Sequence, residues 1–95
     1  MENRKNILVV DDEEINRFIA EDLLEQEYAL DFAENGQECL DKVQQNKPDL
    51  ILLDVNMPVM NGLEACRKLK EDPSTSHIAV IFVSALATKA EIMEG

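Results

Sequence analysis

Apolar residues follow two alternating patterns along this chain: short continuous runs, and longer repeats with helical spacing. Runs such as those at 7–10 and 50–53 are typical of strands that are buried on both faces of a parallel sheet. The runs predict four strands, at residues 7–11, 29–33, 50–54 and 78–83. The repeats predict three helices, at residues 14–27, 36–46 and 62–71.

Each predicted helix carries apolar residues at helical spacing. In the first helix they form one stripe, which comprises Ile15, Phe18, Ile19, Leu23 and Leu24. The inward residues of the second helix are Cys39, Leu40 and Val43. Those of the third are Leu63, Cys66 and Leu69.

Local signals mark where these elements begin and end. Asn35 is placed to cap the second helix, and Pro48 prevents that helix from continuing. Thr88 and Glu91 have capping-box spacing, which predicts the start of a fourth helix. The polar stretch 72–76 is predicted to be a loop. Alternation of strands and helices predicts a three-layer α/β sandwich with right-handed crossovers, although periodicity leaves the strand order open.

Composition narrows the class of protein. A chain of 95 residues suffices for one domain, and its formal net charge of -11 argues against direct binding of nucleic acid. No apolar run reaches the length of a membrane span, and no signal peptide is expected, so we expect a cytoplasmic location. Cys39 and Cys66 are interpreted as reduced, packed thiols, and His77 as a solvated loop residue rather than a catalytic base.

Polar side chains follow three of the predicted strands. Asp11 and Asp12 come after the first, Asp54 ends the third, and Ser84 follows the fourth. The carboxyl ends of parallel strands meet at one edge of the sheet, so these groups are predicted to converge. Three clustered acids repel one another unless a cation lies among them, and their oxygen atoms suit Mg²⁺. The plainer alternative is that they are loop acids that cap helices.

Asp54 is the strongest candidate for a residue that reacts covalently. A carboxylate at a strand end can attack phosphorus and form an acyl phosphate, a reaction that depends on positioning and charge neutralisation. Mg²⁺ held by Asp12 and Asp54, and by Asp11 through water, would supply both, with the backbone carbonyl of Asn56 as a further ligand. Ser84 could donate a hydrogen bond to a phosphoryl oxygen.

Three segments carry a resemblance to a known family: residues 7–12, ILVVDD; residues 48–62, PDLILLDVNMPVMNG; and residues 80–85, VIFVSA. Over nearly all of residues 1–95, the chain resembles the receiver domain of two-component response regulators. The resemblance implies a flavodoxin-like (CheY-like) doubly wound parallel sheet with strand order 2-1-3-4-5. It also implies a signalling domain rather than an enzyme.

The resemblance assigns roles to the candidate residues. Asp54 would accept a phosphoryl group from a histidine kinase or a histidine phosphotransfer protein. Asp11 and Asp12 match the Mg²⁺-binding acid pair, and Asn56 matches the position that offers its main-chain carbonyl to the metal. Ser84 matches the switch residue that moves towards the phosphoryl group.

The sequence also departs from the family pattern. It has no counterpart of the family's fifth strand, fifth helix or phosphoryl-contacting lysine, and Lys89 is not a replacement because it follows the fourth strand. We therefore expect a truncated receiver with impaired phosphorylation. Without a fifth strand, the strand at 78–83 would form an edge of the sheet, and it has no charged residue to protect that edge. We therefore predict self-association, through that strand or the fourth helix.

Two other function classes compete with a signalling receiver. An aspartate-nucleophile phosphatase usually has Asp-x-Asp at the nucleophile, whereas Asn56 stands at the second position here and cannot act as a general acid. An oligomerising or assembly module without signalling activity remains the alternative for this chain.

Overall fold

The structure, a computed structural model, describes residues 4–55, 57 and 59–83. Strands and helices alternate in it, in the order β1 (Lys5–Val10), α1 (Glu14–Leu24), β2 (Tyr28–Ala33), α2 (Gly36–Gln45), β3 (Leu50–Asp54), α3 (Gly62–Glu71) and β4 (Ala79–Val83). The four strands form one parallel sheet in the order β2-β1-β3-β4. The predicted α/β architecture is confirmed.

The strand order determines which face of the sheet each helix covers. The chain steps in one direction from β1 to β2, and in the other direction from β2 to β3 and from β3 to β4. Right-handed crossovers therefore place α1 on one face and both α2 and α3 on the other. This is the doubly wound, flavodoxin-like arrangement.

The main core lies between the sheet and the α2–α3 layer. Alternate residues of β1, Leu8 and Val10, point into it, as do Ile51 and Leu53 of β3. The helices and the remaining segments contribute the other buried members, Ala33, Cys39, Val43, Ala65, Leu69 and Ile78. All ten are at most 2% exposed, so this layer supplies most of the apolar burial.

Two details of the predicted helices are wrong. Helix α1 ends at Leu24 rather than residue 27, because a turn at 25–27 redirects the chain into β2 at Tyr28. Leu63, predicted to face inward, is 58% exposed. The buried residues of α3 are Gly62, Ala65 and Leu69, which are three and four positions apart and therefore lie on one face of the helix. Leu63 lies to the side of that face.

The fourth strand lies at an edge of the described sheet, as expected, but it is not buried on both faces. Continuous apolar runs predict strands buried on both faces, but Ile81, Phe82 and Val83 are 43–50% exposed. β4 lies at one edge of the sheet that the structure describes, and none of the described helices packs extensively against it, so its side chains stay accessible.

The loop at 72–76 is more ordered than a plain polar loop. Thr75 is fully buried, and its hydroxyl donates to the carbonyl of Leu69 at 2.6 Å. Lys70 Nζ donates to the carbonyls of Ser76 and Ile78 at 3.0 and 2.7 Å. These contacts satisfy one carbonyl in the last turn of α3 and two beyond its end, so the loop is part of the packing.

Candidate functional site

Three aspartates meet at the carboxyl edge of the two central strands. Asp11 and Asp12 follow β1 directly, and Asp54 is the last residue of the neighbouring β3. One carboxylate oxygen from each lies within 4.8 Å of the others. Asp11 and Asp54 are buried, at 6% and 7% exposed, whereas Asp12 is exposed. The sheet thus converts two distant stretches of sequence into one acidic cluster.

Asp11 is held in place by hydrogen bonds from the start of α1. Its Oδ1 accepts from the backbone N–H of Glu13 at 2.9 Å and from Asn16 Nδ2 at 3.4 Å. Its own backbone N–H donates to the carbonyl of Ala33 at 3.0 Å. The guanidinium of Arg17 donates to the Asp11 carbonyl, which brings a cation beside the acidic cluster. The carboxylate therefore keeps a fixed orientation with one oxygen engaged.

Close backbone packing explains the glycine at the start of α3. The Gly62 N–H donates to the carbonyl of Val55 at 2.9 Å. A Cβ added at Gly62 would lie 2.1 Å from the carbonyl oxygen of Asp54, a distance that real contacts do not reach. Residue 62 must therefore lack a side chain for the segment after Asp54 to close over the strand end.

The loop that follows Asp54 is tied to the second helix. The Gly36 N–H donates to the carbonyl of Met60 at 3.1 Å, and a Cβ at Gly36 would meet that oxygen at 2.5 Å. Within the same loop, Val59 has a φ of 70° and is 82% exposed. A β-branched residue in this region is strained by about 1–3 kcal/mol, so surrounding contacts must hold the loop in this shape.

The donor set of the cluster fits a small, hard cation. Mg²⁺ binds oxygen ligands and is usually held by one or two carboxylates together with water. The exposed Asp12 leaves the site open to solvent, and the two buried carboxylates bring negative charge that a cation would offset. Asp11, Asp12 and Asp54 are the residues that could hold the metal.

The structure brings together some of the predicted site residues and leaves others undescribed. Asn56 and Ser84 lie outside the described residues, as do the fourth-helix signal at 88–91 and Lys89. Sequence reasoning missed Asn16 and Arg17 as neighbours of Asp11, since a polar residue in the first turns of a helix gives no signal of its own. It also missed Gly36, whose requirement for glycine arises from the contact with Met60.

Comparisons with known proteins identify this geometry. The family described as "Response regulator receiver domain" matches residues 7–95. The chain belongs to the response regulator receiver family. It is 40% identical over 88 residues to the polar-differentiation response regulator DivK of Brucella anthropi, covering 92% of this chain and 72% of DivK.

Other relatives are longer than this receiver. The response regulator PleD of Caulobacter vibrioides is 43% identical over 90 residues, which cover 94% of this chain but only 20% of PleD. Among solved structures, the N-terminal domain of a response regulator receiver protein from Methanoculleus marisnigri JR1 is similar, with a TM-score of 0.80 and 33% identity. That match covers 92% of this chain and 76% of the other. The resemblance inferred from the motifs is thereby confirmed.

Two further findings concern the membrane and the role of the family. Within residues 4–55, 57 and 59–83, no helix is long and apolar enough to cross a bilayer. Receivers are signalling domains of two-component systems, and an acidic pocket for Mg²⁺ is a property of the family that the aspartate cluster matches.

Proposed function

We propose that this receiver accepts a phosphoryl group on the carboxylate of Asp54 from a phosphohistidine on a histidine kinase or histidine phosphotransfer protein. Mg²⁺ would be held by Asp11, Asp12 and Asp54, with the backbone carbonyl of Asn56 as a further ligand. The observation that carries the proposal is the convergence of the three carboxylates within 4.8 Å at the ends of β1 and β3. Both free cysteines are consistent with a reducing cytoplasm as the place of action.

The proposed reaction is a transfer between two covalent carriers. A carboxylate oxygen of Asp54 forms a bond to phosphorus while the phosphorus–nitrogen bond of phosphohistidine breaks, which leaves an acyl phosphate and a free imidazole. When bound, Mg²⁺ supplies the positive charge that such transfers require. The hydrogen bonds from Glu13 and Asn16 orient Asp11 towards the cluster. Ser84 would contact the phosphoryl group and act as the switch that changes protein contacts.

A labelling experiment with a small phosphodonor tests this assignment. The chain is incubated with acetyl phosphate and Mg²⁺, and hydroxylamine-labile phosphate is measured by intact mass. We expect label on the unaltered chain and on Asp41→Asn, an exposed acid of α2, and none on Asp54→Asn. Equal labelling of Asp54→Asn would reject the assignment.

Two further measurements sharpen the test: the rate of labelling and the effect of Mg²⁺ on the free energy of unfolding. For a chain of these 95 residues, labelling should be slower than in a receiver that has the family's lysine, because loss of one charge-stabilising donor costs about a hundredfold or more in rate. Mg²⁺ should raise the free energy of unfolding through mass action, and Asp11→Asn should reduce that gain. Labelling as fast as in the lysine-containing receiver would contradict the expected impairment.

We also propose that copies of this chain self-associate through β4. Self-association would support the alternative function, in which the chain acts as an assembly module. The observation in its favour is that β4 lies at an edge of the sheet formed by the described residues, with Ile81, Phe82 and Val83 each 43–50% exposed. Light scattering after size exclusion at several concentrations tests it. A monomer at every concentration would overturn the proposal, and an Ile81→Lys variant should dissociate the larger species.

A further inference from the structure

The second and third helices lie side by side along their length, and contacts at both ends establish their alignment. Near their N-terminal ends, the Gly36 N–H donates to the carbonyl of Met60. Near their C-terminal ends, Gln44 Nε2 lies 3.4 Å from Asp72 Oδ2. Both helices follow parallel strands of one sheet, so they run in the same direction. Residues at equal distances along the helices from the second contact therefore lie at the same height.

Each helix carries one cysteine at nearly the same height. Gln44 and Asp72 contact each other near the C-terminal ends of the helices, and Cys39 lies five residues before Gln44 whereas Cys66 lies six residues before Asp72. At a rise of about 1.5 Å per residue, the two differ by about 1.5 Å along the helix axes. Cys39 is a fully buried member of the core cluster, and Cys66 packs against that cluster while keeping partial exposure.

The electrostatics of the two thiols agree with this placement. Burial raises the pKa of Cys39 to about 12, and the neighbouring Cys66 contributes to the rise. The two sulfurs are therefore close enough for a charge on one to affect the ionisation of the other. Because its pKa is high, Cys39 is a slow nucleophile, so the more accessible Cys66 is the thiol that would meet an oxidant first.

We infer that Cys39 and Cys66 form a redox-active thiol pair that closes into a disulfide joining α2 to α3. The oxidant is a small-molecule disulfide such as oxidised glutathione. The Cys66 thiolate attacks one sulfur of the oxidant, which forms a mixed disulfide and releases one glutathione thiolate. The Cys39 thiol then loses its proton and attacks the Cys66 sulfur, which releases the second glutathione. Two protein thiols are oxidised and one glutathione disulfide is reduced.

The disulfide would be a covalent cross-link between two helices that lie next to the aspartate site. Helix α3 begins at Gly62, whose backbone packs against Asp54, and α2 begins at Gly36, which holds the loop through Met60. A cross-link one turn into both helices would fix the two anchors of that loop relative to each other. The reaction itself requires neither Mg²⁺ nor a phosphoryl group, so it stands or fails independently of phosphoryl acceptance.

The experiment compares the native chain with the same chain in urea. Both are equilibrated in buffers of oxidised and reduced glutathione at about pH 8, quenched with acid, and analysed by intact mass and by peptide mapping without reduction. We expect an intramolecular Cys39–Cys66 disulfide whose equilibrium constant is about tenfold or more higher in the native chain, because the fold brings the thiols together. By linkage, the oxidised chain should resist unfolding by the same factor, about 1.4 kcal/mol per tenfold.

Single variants identify the order of the steps. Cys39→Ala should accumulate the glutathione adduct on Cys66, and Cys66→Ser should remain almost unlabelled while folded. Three results would overturn the inference: an equilibrium constant no higher in the native chain than in urea, a stable adduct on Cys66 beside a free Cys39 in the unaltered chain, or cross-linked dimers in place of the internal bond. The comparison of native with unfolded chain does not depend on whether either variant folds.

Discussion

The two faces of the sheet are packed in different ways. On the face that α2 and α3 cover, ten residues form a cluster in which none is more than 2% exposed. On the face under α1, no helix residue is buried, and Ile15, Phe18, Ile19 and Leu23 are 48–72% exposed. A groove of about 260 Å³ lies between α1 and the sheet, lined in part by Leu23, Leu52 and Val83.

This contrast shows that an apolar stripe predicts a helix without predicting its burial. Both α1 and α3 carry apolar residues at helical spacing, yet Leu69 of α3 is buried and Leu23 of α1 is exposed. Local stability should follow the same division, with the α2–α3 face opening last and α1 fraying first. The site straddles both, because Asp11 takes its hydrogen bonds from α1 whereas the Asp54 loop is anchored on α2 and α3.

The largest expected difference between the faces comes from matched leucine substitutions. Leu69→Ala should lower the free energy of unfolding by about 2–5 kcal/mol, since it opens a cavity in the core cluster. Leu23→Ala, at 72% exposed, should change it by less than about 0.5 kcal/mol. Urea unfolding at low protein concentration measures both. Equal losses would contradict the difference between the faces and would mean that α1 is covered in solution.

Gly62→Ala tests the backbone contact at the start of α3. Alanine is favoured over glycine in a helix by about 1 kcal/mol, so propensity predicts a more stable chain. The clash with the Asp54 carbonyl predicts instead a loss of about 1–3 kcal/mol, together with weaker Mg²⁺ binding. Gln37→Ala on the exposed surface of α2 is the control, with a change below about 0.5 kcal/mol. A gain in stability for Gly62→Ala would refute the contact.

The helix caps give a smaller contrast between the faces. The side chain of Asn35 accepts a hydrogen bond from the Glu38 N–H at 2.8 Å, whereas Glu13 makes no such bond at the start of α1. Asn35→Ala should therefore cost about 1 kcal/mol. Glu13→Ala should cost nothing through capping. Urea unfolding distinguishes them, and similar losses from the two variants would count against the difference in capping.

The smallest effect is expected at the end of α3. Hydrogen bonds from the backbone and hydroxyl of Ser74 lower the pKa of Asp72 below its ordinary value of 3.8. This carboxylate therefore contributes stability above the unfolded pKa that is lost as pH falls through the folded pKa. Ser74→Ala should raise the pKa of Asp72 in an NMR titration, and Ser76→Ala should leave it in place. An unchanged pKa in Ser74→Ala would remove the hydroxyl as a cause.

Local patterns in the chain specify the elements, their order and the acids at the strand ends. Apolar runs and helical repeats involve residues close in sequence, and a parallel sheet brings the ends of its strands together whatever the side chains do. That is why Asp11, Asp12 and Asp54 can be grouped from the sequence alone. The N-terminal cap at Asn35 is equally predictable, because its donor lies three residues away.

The tertiary structure, by contrast, decides which surfaces are covered and which groups steady the site. The exposure of α1 and β4 depends on what lies beside them, and the burial of Thr75 depends on a carbonyl six residues away. The need for glycine at position 62 comes from contact with the Asp54 backbone across the loop. These features arise from non-local neighbours, and neither periodicity nor spacing along the chain encodes them.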